Sequence, residues 1–217
     1  MPTTTLHTRH LNNPAAAPRI ETRADGVQVL IGYSAVFYRE GDANTEYNMG
    51  WGIRERIGPT AFERAIKEQH DARCRADHQT ILGRVSAGTL RLTVDQIGLR
   101  YECDLPSTTA AKDYAVSIAR KDISGSSFAF RKELIEWTED DVGEIRTLTD
   151  LELVDVGPVG FPAYKGTTSE VRATGDAESE AIRAARDAWK AARSSPADEV
   201  SVRCSLLDLD DAELAFR

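Results

Sequence analysis

Few side chains in this sequence combine reactive chemistry with a position that could hold it still. There are four histidines. His7 and His10 fall in a polar leader with no periodicity to fix them in a catalytic geometry. His70 closes a predicted helix, where a cation suits the negative helix end. His78 follows Ala76-Asp77 and precedes Ile81-Leu82-Gly83-Arg84, a loop beside a predicted strand. That is a suitable place for a general base and equally one for an exposed loop residue. Serines cluster at Ser124-Gly125-Ser126-Ser127-Phe128, where a hydroxyl could be presented at a bend or simply belong to a turn. The Gly-x-Ser-x-Gly elbow is missing, because Ala129 stands two places after Ser127, and an α/β-hydrolase is disfavoured. His70, Cys74 and His78 would line one helix face only if the predicted helix ran that far. Without Cys-x-x-Cys or His-Glu-x-x-His, no metal and no other cofactor is expected.

The elements that must position these groups are mostly strands. Val27, Val29 and Ile31, then Tyr33, Ala35 and Phe37, alternate with their neighbours and predict one long strand or two meeting at Gly32. A helix is predicted from Pro59-Thr60-Ala61-Phe62-Glu63, with Thr60 and Glu63 at capping-box spacing. Leu90, Leu92 and Val94, then Leu99, Tyr101, Cys103 and Leu105, predict a hairpin about Asp95-Gln96-Ile97-Gly98. A second helix is predicted over 107–121. Strands follow over 127–130, 134–137 and 145–156, the last two flanking an acidic turn at 138–144. Six or more short strands with two helices between them suggest a mostly antiparallel sheet or barrel decorated by helices.

The chain has 217 residues, with 27 Lys+Arg against 35 Asp+Glu and a formal charge of −8. It lacks the basic footprint of a nucleic-acid binder, and no apolar run is long enough to span a bilayer. Cys74, Cys103 and Cys204 are an odd, widely spaced set; a disulfide framework is not expected, and a reducing, intracellular setting fits best. Three regions are expected: a flexible leader at 1–18, a compact domain at 19–172 and a charged helical tail at 173–217. Few contacts are expected between the domain and either 1–18 or the segment after Ser194. In the tail, Ile182, Ala185 and Trp189 form an apolar stripe among charges.

Four ordered blocks resemble the prohead serine proteases of tailed bacteriophages. They are Gly32-Tyr33-Ser34-Ala35-Val36-Phe37 with Gly58-Pro59-Thr60-Ala61-Phe62; His78 with Leu82-Gly83-Arg84 and Ala87-Gly88-Thr89-Leu90; Asp122 through Phe130; and Val154 through Tyr164, followed by Thr167. The resemblance spans roughly 19–172. It implies an α+β fold, mostly β with flanking helices, similar to the β-barrel of the herpesvirus assembly proteases. It implies a serine endopeptidase that cleaves the major capsid protein or the scaffold, and possible self-cleavage, during procapsid maturation. The setting would be the host cytoplasm and the interior of the procapsid, with no membrane and no specific nucleic acid. Contact with the portal and homodimer formation stay open.

By the same resemblance the catalytic residues are His78, Ser127 and Asp155. The family's Asn-His-Asp is here Asp77-His78-Gln79, the methionine before the serine is Ser126, a glycine is Ala129, and the usual Glu is Asp155. A shorter carboxylate must come from a closer strand to reach the histidine; Asp77 is the reserve. The turn at 161–166 is the expected source of oxyanion donors. The alternative is a procapsid scaffold or capsid-binding protein that keeps the protease fold and acts through its C-terminal helix.

Overall fold

A computed structural model describes residues 6–11, 13, 16–160, 176–193 and 204–205. The strands are β1 (His7–Leu11), β2 (Arg19–Thr22), β3 (Gln28–Val36), β4 (Glu46–Gly50), β5 (Ile53–Ile57), β6 (Arg73–Ala76), β7 (Thr80–Arg84), β8 (Leu90–Val94), β9 (Gly98–Asp104), β10 (Gly125–Asp140), β11 (Gly143–Val159) and β12 (Cys204–Ser205). The helices are α1 (Glu63–Lys67), α2 (Thr109–Ala119) and α3 (Asp176–Arg193).

One long hairpin organises the molecule. β10 and β11 pair antiparallel along their whole length, from Gly125 opposite Val159 to Asp140 opposite Gly143. The acidic turn expected over 138–144 is therefore shorter, with only Asp141 and Val142 outside the strands. Its tip is closed by Asp140, which accepts from the Val142 and Gly143 amides at 2.9 and 3.2 Å. Arg54 pairs with Asp140, and Arg193 with Glu139, so the like charges on the hairpin end are relieved by cations from β5 and α3.

Short strands attach end to end along both edges of this hairpin. On β10, β1 pairs with Ser126–Phe130 and β12 with Leu134 and Ile135. On β11, β5 runs parallel to Glu144–Leu148 and β6 parallel to Asp155–Val156. A second sheet has the order β2-β3-β9-β8, and its β8–β9 pair is the predicted hairpin. Both sheets are open among the described residues, so the expected closed, herpesvirus-like barrel is not what forms. Two long strands that each serve several short partners give a branched sheet, whereas a barrel needs successive strands of matched length.

The core lies between the sheets, where the alternating residues of β9 (Leu99, Tyr101, Cys103) meet Phe128 and Phe130 of β10 and Phe62 before α1. Phe62 stands edge-on to Phe128 with centroids 5.5 Å apart, and Phe128 stacks on Phe130 at 5.3 Å. β3 is a single strand, bulged between Tyr33 and Ala35 and buried on both faces. Its apolar run permits this. Gly32 is required where it runs past Tyr101, whose hydroxyl would lie 2.8 Å from any Cβ added there.

α1 departs from expectation at its start. Thr60 does not cap it; its hydroxyl donates to the Thr149 carbonyl at 2.9 Å. α2 begins as predicted, with the Thr108 side chain accepting from the Ala111 amide. The expectation of few contacts for the leader is corrected in part. The leader contributes β1, because Leu11 and Ala16 bury against Val36 of β3. In the tail, α3 uses its stripe on its own domain. Ile182 and Trp189 are buried, and Trp189 stacks on Trp137 of β10 with centroids 6.1 Å apart and planes at 28°. That contact uses up the apolar face on which the scaffold reading rested. The rest of the segment after Ser194, apart from β12, lies outside the described residues.

Candidate functional site

His78 occupies the three-residue turn between β6 and β7. Asp77 and His78 both adopt left-handed backbone, with φ of 50° and 56°. Two successive non-glycine residues in this region are uncommon, although Asp and His tolerate it better than most. The surroundings fix them there. The Asp77 amide donates to the Pro158 carbonyl at 3.0 Å, and the Asp77 carboxylate accepts from Tyr114 Oη at 2.9 Å and the Gly160 amide at 2.8 Å. Both oxygens of Asp77, the reserve acid of the sequence reading, are thus engaged by Tyr114 and Gly160.

Ser127 lies on β10, where the period of two separates it from its neighbours. Ser126, Phe128 and Phe130 share one side, and Ser126 Oγ lies 3.0 Å from the buried Tyr101 hydroxyl. Ser127 and Ala129 take the other side, opposite Gly157 and Asp155 of β11. Asp155 thus belongs to the strand next to that of Ser127, and β6 pairs with β11 just there. Gly157 makes this approach possible, because a Cβ at that position would lie 2.1 Å from the Arg75 carbonyl oxygen.

These strands bring the three residues named from the sequence together. His78 Nε2 is 2.6 Å from Ser127 Oγ, and His78 Nδ1 is 2.7 Å from Asp155 Oδ1. A neutral imidazole that donates from Nδ1 to the carboxylate leaves Nε2 free to accept from the serine hydroxyl. The carboxylate is 1% exposed and its second oxygen accepts from Arg75 Nη1 at 3.3 Å. The shorter side chain of Asp155 suffices because β11 is close.

His70 and Cys74 take no part. α1 ends at Lys67, so the three candidate ligands share no helix face. His70 Nδ1 instead accepts from the Leu153 amide at 3.2 Å, and Cys74 is buried. Among the described residues no group of three or more His, Cys, Asp or Glu could hold a metal ion. The 161–166 turn lies outside the described residues.

Other site residues escaped the sequence reading. β1 lays His10 opposite Ser127 in register, with the His10 ring edge-on to His78 at 5.8 Å. Ser127 Oγ is 2.8 Å from the Arg9 carbonyl oxygen, and one hydroxyl proton serves either this oxygen or His78 at a given moment. Burial, and then the charges of His78 and Arg9, push the His10 pKa down to about 4, with Asp77 pulling the other way. His7, Arg9 and Leu11 are the buried positions of the strand, and because their neighbours Thr8 and His10 are as polar as His7 and Arg9, no alternation in the sequence marked it.

Residues 16–181 match the caudovirus prohead serine proteases. The chain belongs to that family. The match includes His78, Ser127 and Asp155 and leaves β1 outside. Among solved structures, the capsid assembly protease gp21 of bacteriophage T4 is similar, with a TM-score of 0.47 and 11% identity over 74% of this chain and 99% of that one. No curated protein matches the chain. As a prohead protease it has, among its described helices, none long and apolar enough to cross a membrane.

Proposed function

We propose that this prohead protease is a serine endopeptidase that cleaves the major capsid protein or the scaffold inside the procapsid in the host cytoplasm, with Ser127 as nucleophile, His78 as general base and Asp155 as the orienting acid. The unbroken hydrogen-bond chain Ser127–His78–Asp155 carries this reading. A serine hydroxyl is a weak nucleophile until a base takes its proton. In the proposed reaction His78 Nε2 removes that proton as Oγ attacks the peptide carbonyl. Asp155 holds the proton on Nδ1 and stabilises the imidazolium. The imidazolium then protonates the leaving amine, and the acyl-enzyme is hydrolysed by a water that His78 activates in the same way.

The test is co-expression with the neighbouring major capsid protein, followed by intact-mass measurement of recovered particles. Wild type should yield a shortened capsid or scaffold protein, and Ser127→Ala should yield assembled particles with full-length proteins. Equal cleavage in both would remove this mechanism.

A further inference from the structure

β1 meets three requirements that a peptide substrate would have to meet. It adds to the free edge of β10 as an antiparallel strand, the usual way a protease holds an extended peptide. It brings one carbonyl to the serine, since Ser127 Oγ lies 2.8 Å from the Arg9 oxygen. The Ser127 hydroxyl thereby faces the Arg9–His10 peptide, as a donor to its oxygen. β1 also sends the side chain preceding that bond into a buried, charged pocket.

Glu55 of β5 forms the floor of this pocket and is fully buried. Arg9 Nη2 donates to Glu55 Oε2 at 2.9 Å, and Arg9 Nε donates to the other carboxylate oxygen. The guanidinium carbon lies 5.3 Å from the Phe130 ring centroid. Arg146 Nη1 is 3.0 Å from Glu55, and the same guanidinium pairs with buried Glu133. With Arg9 in place, two guanidiniums meet two carboxylates. When β1 leaves, taking Arg9 and His7 with it, Arg146 is the cation left to both carboxylates among the described residues. A buried carboxylate short of a partner is strongly unfavourable, so the vacated pocket favours a replacement cation. A forked carboxylate contact beside an aromatic face suits arginine better than lysine. Ser127 itself is fully buried while β1 is in place, so β1 must leave before another chain can reach it. The family match begins at residue 16, beyond this strand.

We propose that Glu55 is the specificity determinant of a pocket that takes the arginine preceding the scissile bond of an extended peptide, and that β1 fills this pocket in cis as a stand-in for substrate. The proposal rests on Ser127 being the nucleophile, as set out above, but its test needs no bond to be cut. Full-length protein carrying Ser127→Ala and Arg9→Gln is titrated with a labelled peptide of residues 6–13, and with the same peptide bearing Lys, Gln or Glu in place of its arginine. The arginine peptide should bind more tightly than the glutamine peptide by on the order of 100-fold, with lysine between them and glutamate weakest. Adding Glu55→Gln should abolish the difference. The series is repeated on Ser127→Ala alone, where competition from the cis strand weakens every peptide by one factor and preserves their ratio. Indistinguishable affinities for the arginine and glutamine peptides, or no binding of the arginine peptide, would overturn the pocket. Failure of capsid cleavage in wild type would overturn the proposed function instead.

Discussion

Ser126 and Ser127 are neighbours with opposite fates, decided by which side of β10 each faces. Ser127→Ala should lower kcat by about 10⁶-fold, to no detectable product by intact mass. Ser126→Ala should retain cleavage and lose only the hydroxyl contact to Tyr101, at about 1 kcal/mol of stability in a denaturant titration. Loss of cleavage in Ser126→Ala with wild-type activity in Ser127→Ala would reverse the assignment. Asp155→Asn should keep the fold and cost on the order of 10⁴-fold in kcat, because an amide favours the wrong imidazole tautomer. At this scale the sequence was legible only in blocks. His78 looked like any loop histidine, because a turn residue gains meaning only from the strand behind it. Asp77, adjacent in sequence, seemed a natural partner, but a left-handed turn directs its carboxylate to Tyr114 and the Gly160 amide.

Among the elements, β6 is held against the β10–β11 hairpin by the absence of a side chain at Gly157. An added methyl group would meet the Arg75 carbonyl at 2.1 Å, so Gly157→Ala must push β6, and His78 with it, away from Ser127. The expected cost is about 3 kcal/mol of stability, seen as a fall of roughly 6–12 °C in Tm. Catalytic loss should exceed what the unfolded fraction explains. Wild-type Tm and activity in this variant would show that β6 is not seated as described. Strands whose apolar residues alternate, such as β8 and β9, were readable from sequence. The full length of β10 and β11 was not, because a β-ladder can continue through acidic residues once cations from other elements neutralise them. The open sheets were illegible for a related reason: partner order depends on pairings distant in sequence, and alternation is silent about them.

In the whole molecule, the N-terminal strand ties one end of the chain to the site. His10 has a folded pKa of about 4 against an ordinary 6.5, so a detached strand binds the proton more readily than an attached one. Attachment is therefore strongest above pH 6.5 and is lost as pH falls through that value toward 4. The charged groups facing His10 are Arg9 on its own strand and His78 and Asp77 on the β6–β7 turn. Amide hydrogen exchange, corrected for intrinsic rates, should show less protection of Ser126–Phe130 at pH 5 than at pH 7.5, and His10→Phe should flatten that dependence. Equal protection at both pH values in wild type would contradict it. At the other end of the chain, the stacked indoles of Trp137 and Trp189 join the hairpin to α3. Two indole transitions held this close couple as excitons, so the protein carries its own optical gauge of helix docking. A bisignate band in the near- or far-ultraviolet circular dichroism should disappear in Trp189→Leu and survive in Trp51→Leu, and its melting curve should report release of the helix separately from collapse of the sheets.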